Sequence, residues 1–117
     1  MSILKSFHVA IRGIILVWRE ERSFQIQTAV AALVIFLMLI APLKSWERII
    51  LLLIIALVLI LEILNTIVER FVDMVKPRLN SYVGVIKDMM AGAVLVMSFV
   101  AAIIGLIIFI PHLQNTF

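Results

Sequence analysis

The chain contains no cysteine, which excludes disulfides, thiolate chemistry and cysteine-based zinc sites and leaves the redox compartment undetermined. Charge is scarce as well. Only 15% of the 117 residues are charged and 65% are hydrophobic, far more apolar than an ordinary soluble domain. Glycine is confined to Gly13, Gly84, Gly92 and Gly105, and none belongs to a GxxxxGKS/T loop or a GxGxxG turn, so any nucleotide site must be unconventional. The pI is near 9.8, yet the basic residues form no run and no aromatic-interleaved patch, so nucleic acid is not an expected partner. A signal peptide is not expected either, because Arg12 and Arg19 interrupt the first apolar stretch and no small-residue cleavage site follows. Internal repeats and low-complexity tracts are absent.

What is present is apolar sequence, with a mean hydropathy of +1.26. A bilayer crossing takes about 20 apolar residues per helix, so the length allows three crossings and one further segment. The expectation is a single all-α integral membrane domain over residues 1–117. In residues 3–20, Ile3, Phe7, Ile11, Ile14 and Trp18 recur on one face while Lys5, Arg12 and Arg19 repeat every seventh position on another, the pattern of an amphipathic helix lying on the membrane surface. Packing of this helix on the bundle is the equal alternative. The first crossing spans residues 24–41, ending at Pro42. The second spans 46–76, stops before Pro77, and is longer than the hydrocarbon requires, so its last turns project into water. A turn over 77–84, with Asn80 or Ser81 as cap, leads to a third crossing over 82–110. There the small residues Ala91, Ser98, Ala102 and Gly105 form a close-packing face. His8 and His112 have no partner at ligand spacing and read as solvated or interfacial.

Within the second crossing, Glu62, Asn65, Glu69 and Asp73 are separated by three, four and four residues. At 3.6 residues per turn they leave the helix through one stripe about 80° wide. Ionisable side chains at membrane depth are expensive and normally mark a site facing a bundle interior. Three helices enclose little interior, so an oligomer is the economical way to cover such a stripe.

Orientation follows from counting cations. Lys5, Arg12, Arg19 and Arg22, together with Arg70, Lys76, Arg78 and Lys87, fall on one side of the membrane, and only Lys44 and Arg48 on the other. The positive-inside rule makes the first side cytoplasmic, the side on which ATP and magnesium are available. Glu20, Glu21, Glu62, Glu69, Asp73 and Asp88 lie on or near that face, leaving Glu47 opposite.

Phosphoryl transfer requires a divalent cation, positive groups on the phosphates and a base at the acceptor hydroxyl. Glu21 and Glu69 could ligate magnesium, Lys87 could grip phosphates, and Glu62, the deepest carboxylate, sits where a lipid headgroup brings a hydroxyl. From the residues alone, two other readings stay open. One is a small ion-coupled transporter using Glu62 as its proton or cation site, the other a structural polar seam between subunits.

The runs EILNTIVERFVD, Glu62 to Asp73, and KDMMAGAVLV, Lys87 to Val96, resemble the signature of the prokaryotic diacylglycerol kinase and undecaprenol kinase family. Glu62, Asn65, Glu69, Asp73, Gly84, Lys87 and Asp88 match it, and the upstream order Lys5, Gly13, Trp18, Glu21, Phe24 is similar too, so the resemblance covers nearly the whole chain. It implies a homotrimer of three-crossing subunits with an N-terminal surface helix, and composite active sites between neighbours that use magnesium ATP to phosphorylate a membrane lipid alcohol. It implies Glu62 as general base and Glu21 and Glu69 as metal ligands. Asn65, Lys87 and Asp88 would belong to the nucleotide and phosphate site, Lys5 would lie near the nucleotide, and Asp73 would be a structural or nucleotide-side contact. Gln27, Leu79 and Ala91 depart from the diacylglycerol kinase branch, where a carboxylate, a tyrosine and a serine stand. These departures tilt the expected acceptor toward undecaprenol or another long lipid alcohol.

Overall fold

In the computed structural model the backbone is described for residues 2–116, and side chains for 2–75 and 82–114. Every regular element among the described residues is helical: α1, Ile3–Glu20; α2, Arg22–Ile40; and α3, Ser45–Thr116. Ser2 caps α1, its hydroxyl accepting the Lys5 N–H at 3.2 Å, as small polar N-cap residues do. One extended residue, Glu21, separates α1 from α2; it ends the first helix by donating its N–H to the Val17 carbonyl and stands as N-cap of the second. Gln25 braces this corner by donating to the Trp18 carbonyl at 2.6 Å. At the far end α2 gives way to extended Ala41 ahead of Pro42, since the residue before a proline is pushed out of the helical region.

α3 begins with half of a capping box. Its third residue, Glu47, reaches back to accept the Lys44 N–H at 2.8 Å. Helical backbone continues on both sides of Pro77, but not in one straight line. A straight helix of 72 residues would be about 108 Å long at 1.5 Å per residue, whereas the longest dimension of the molecule is 58 Å. The element doubles back on itself, so that Ser45–Val75 and Tyr82–Gln114 are the two arms of an antiparallel hairpin. The side chains of the expected turn and cap, including Asn80 and Ser81, lie outside the described residues.

Two contacts fix the register of the arms. Lys87 Nζ lies 2.8 Å from Asp73 Oδ1 at one end, and His112 Nε2 lies 3.3 Å from Glu47 Oε1 at the other. His112 thus has a partner that its local sequence does not show: the hairpin brings it to a carboxylate 65 positions away. Met38, Leu43, Leu51 and Ile108 form a buried cluster near this second end, bringing α2 against both arms. Where lipid is as apolar as these side chains, the contact is held by close packing rather than by exclusion of water.

Among the described residues, Arg22–Ile40, Ser45–Val75 and Tyr82–Gln114 are long and apolar enough to cross a membrane. Most of their large side chains are exposed, Leu39, Leu53, Leu95 and Ile107 among them, as expected where the solvent is hydrocarbon. The arms, at 31 and 33 residues, reach about 46–50 Å and overshoot a hydrocarbon layer of about 30 Å. The small residues of the second arm do not pack face to face within the chain. Ser98, Ala102 and Gly105 instead line a cavity of about 580 Å³ between the three spans, walled by Val34, Ile54 and Val58.

Candidate active site

The stripe on the first arm meets the α1–α2 corner. Because Glu21 occupies the one non-helical residue there, and its carboxylate makes no cap hydrogen bond, the side chain is available to the neighbouring arm. Burial pushes the Glu21 carboxyl above the ordinary carboxylate range, and the nearby Glu69 carboxylate pushes it the same way, since both disfavour the charged form. Glu62 lies within electrostatic range of the same two carboxylates. Three acids, two from α3 and one from the corner, thus converge within a single chain.

Each has a distinct setting. Glu62 is 4% exposed and sits one turn from Thr66, whose hydroxyl donates to the Glu62 carbonyl at 3.1 Å. Glu69 is half-buried and accepts a hydrogen bond from Asn65 Nδ2 at 3.3 Å, the product of their spacing of four on one helix face. Asp73 is exposed and pairs with Lys87. Along the axis, Glu62 and Asp73 are about 16 Å apart at 1.5 Å per residue, so the stripe runs from the buried interior to the surface.

The second arm supplies the cation. Lys87 is half-buried and lies within electrostatic range of Glu69 as well as in contact with Asp73. Asp88 is exposed, and among the described residues its side chain makes no ion pair or hydrogen bond. Adjacent helix positions leave the axis about 100° apart, so Asp88 does not share the face of Lys87. Lys5, on the exposed first turn of α1, likewise makes no side-chain ion pair or hydrogen bond among the described residues. Glu21, Glu62, Asn65, Glu69, Asp73 and Lys87 are thus linked by contact or by electrostatic range, and Lys5 and Asp88 stand outside that group.

No group of three or more His, Asp or Glu side chains forms a metal cage among the described residues. The Glu21–Glu69 pair nevertheless suits magnesium, which binds through one or two carboxylates plus substrate phosphates. The mutual repulsion of the pair is what a divalent cation would relieve.

Two residues adjoin the site that sequence reasoning did not assign to it. Gln27 donates through Nε2 to Ser98 Oγ at 3.2 Å, and its amide lies in hydrogen-bonding reach of the Glu62 carboxylate. Each is a polar residue inside an apolar span, which is the signal that could have found them. Arg70 and Glu20 form a further ion pair that ties the end of α1 to the first arm.

The fold and this cluster define a multi-pass membrane protein with an acidic, lysine-flanked site at one end of its helices. The profile of the family described as prokaryotic diacylglycerol kinase matches residues 8–109, and the chain belongs to that family. It is 39% identical over 109 residues to an undecaprenol kinase of Bacillus subtilis, covering 93% of this chain and 89% of that protein. It is 34% identical over 115 residues to a diacylglycerol kinase of Synechocystis sp., covering 97% of this chain and 66% of that protein. The chain is a membrane lipid kinase.

Proposed function

We propose that the chain transfers the γ-phosphoryl group of magnesium-bound ATP to the hydroxyl of a long membrane lipid alcohol, with undecaprenol preferred over diacylglycerol. The observation that carries this reading is that Glu21, Glu62 and Glu69 of one chain lie within electrostatic range of one another, with Lys87 in range of Glu69. In the transfer, Glu62 accepts the proton of the acceptor hydroxyl while the hydroxyl oxygen forms its bond to the γ-phosphorus. The bond from that phosphorus to the β-phosphate oxygen breaks, and ADP leaves. Glu21 and Glu69 would hold a magnesium ion, which would supply positive charge to offset that of the phosphates. Lys87 contacts phosphate oxygens as a point charge, and Asn65 keeps the Glu69 carboxylate oriented through its hydrogen bond. Asp88 and Lys5 serve the nucleotide from the periphery of the site. Burial of Glu62 keeps bulk water from competing with the lipid hydroxyl.

The setting completes the reading. Residues 3–20 lie on the cytoplasmic surface of the inner membrane, and the chains assemble as a homotrimer that covers the exposed apolar faces of the spans. Undecaprenol as acceptor is supported by the higher identity to the undecaprenol kinase than to the diacylglycerol kinase and by Gln27, Leu79 and Ala91. Incubating purified protein in mixed micelles with magnesium, γ-labelled ATP and either lipid tests the proposal. Label is expected in the lipid phase, faster with undecaprenol. Gradient-driven ion flux in liposomes with no lipid phosphate would instead support a transporter.

A further inference from the structure

We propose that Gln27 is a positioning residue, clamped by Ser98, that holds the Glu62 carboxylate in the orientation in which it receives the acceptor proton. The inference rests on the assignment of Glu62 as base and extends it to two residues on the other two spans.

The hairpin register sets up the geometry. Ser98 lies eleven residues beyond Lys87, and Glu62 lies eleven residues before Asp73. Because Lys87 and Asp73 are in contact and the arms are antiparallel, Glu62 and Ser98 stand at the same height on facing arms. Gln27 enters between them from α2. Its amide nitrogen donates to Ser98 Oγ at 3.2 Å, and the same amide lies in hydrogen-bonding reach of the Glu62 carboxylate. A primary amide has two N–H donors, so one nitrogen can serve both oxygens.

The surroundings make this contact consequential. Gln27 and Ser98 are the polar lining residues of the cavity between the spans, whose other walls are apolar. A half-buried polar group between apolar walls has few alternative partners, and leaving it unpaired is costly. The groups facing Glu62 are Glu21 from the α1–α2 corner, Glu69 from its own arm, and Gln27 from α2. Both neighbouring carboxylates repel Glu62, and Gln27 is the neutral donor in the set. The backbone beneath Glu62 is already anchored by the Thr66 hydroxyl, so the freedom left to the carboxylate is rotation of its own side chain. Gln27 restricts that rotation, and Ser98 fixes Gln27.

The test is a double-mutant cycle on the full-length protein, with kcat and the KM values for ATP and lipid measured in mixed micelles. Gln27→Met removes the donor at similar volume. It is expected to lower kcat by up to about a hundredfold, the scale of a misplaced catalytic group, with both KM values unchanged. Ser98→Ala is expected to give a smaller loss, and Ser98→Thr, which restores the hydroxyl, to recover wild-type kcat. Since Ser98 acts through Gln27, the double variant Gln27→Met/Ser98→Ala should be no slower than Gln27→Met alone. Additive losses, or failure of Ser98→Thr to recover activity, would mean that the two residues merely support packing. Wild-type kcat in Gln27→Met, with Glu62→Gln inactive, would overturn the positioning role and leave the base assignment standing. Turnover in Glu62→Gln would remove the base and the inference together.

Discussion

Lys87 and Asp73 face each other across the hairpin, 2.8 Å apart, so the cation expected to hold phosphates is occupied by a carboxylate when no nucleotide is bound. Asp73 then competes with ATP for Lys87. Exposed ion pairs are weak, and Asp73 is the more exposed partner at 58%. Asp73→Asn is expected to lower the KM for ATP by no more than about fivefold. Lys87→Met should raise that KM and reduce kcat. Initial rates over a range of ATP concentrations distinguish the two variants, and a higher KM in Asp73→Asn would show that Asp73 contacts the nucleotide directly.

Glu62 is the most buried acid of the stripe. Glu62→Gln keeps the volume and most hydrogen-bonding capacity of the side chain but cannot take a proton, so assembly should survive while turnover falls. A general base contributes about 10²–10⁴-fold, and a loss on that scale is expected. Elution volume in detergent checks the assembly, and label transfer to lipid checks the rate. Normal turnover would exclude Glu62 as the base.

Glu21 makes stability depend on pH. Its folded-state carboxyl titrates above the ordinary value of 4.5, so the folded chain binds more protons than the unfolded chain over the interval between the two. Stability therefore falls as pH rises through that interval and stays lower above it. Without magnesium, Glu21→Gln should raise the unfolding midpoint at neutral pH and have little effect at pH about 3.5, below the unfolded value. Magnesium should raise the neutral-pH midpoint of the wild type and leave that of Glu21→Gln nearly unchanged. Thermal unfolding in detergent at the two pH values measures both effects, and a metal response retained by Glu21→Gln would remove Glu21 as a ligand.

The stripe was legible in the sequence because it depends on one local rule. Residues three or four apart share a helix face, so Glu62, Asn65, Glu69 and Asp73 had to lie together whatever the rest of the chain did. The Asn65–Glu69 hydrogen bond follows from the same rule. Contacts set by the hairpin register were not legible. Gln27 and Ser98 are 71 positions apart, and Glu47 and His112 are 65 apart. No periodicity relates positions on different helices, so Ser98 read as a small packing residue and His112 as solvated or interfacial.

Glu47 holds the opposite end of the molecule. One of its oxygens accepts from the Lys44 N–H and also contacts His112, linking the start of the first arm to the end of the second. Glu47→Ala removes both the cap and the tie at once. The unfolding midpoint in detergent should drop, while kcat per folded molecule should stay within about twofold, because a distant independent site contributes little to the reaction. A large fall in kcat with an unchanged midpoint would show that this end communicates with the active site.

One chain alone brings Glu21 to Glu62 and Glu69, which bears on how active sites are divided among subunits. The family resemblance implies sites completed between neighbours, whereas this geometry supplies both proposed metal ligands and the base from the same chain. The two arrangements differ in a mixing experiment. Inactive Glu21→Ala and inactive Glu62→Gln protein, dissociated and reassembled together, regain activity only if these two residues come from different subunits. With both drawn from one chain, every site in the mixture lacks one or the other, and activity should stay at the level of the single variants. Mixing either variant with wild type should then give activity proportional to the wild-type fraction. Recovery in the mixture of the two inactive variants would show that Glu21 and Glu62 act across the subunit boundary.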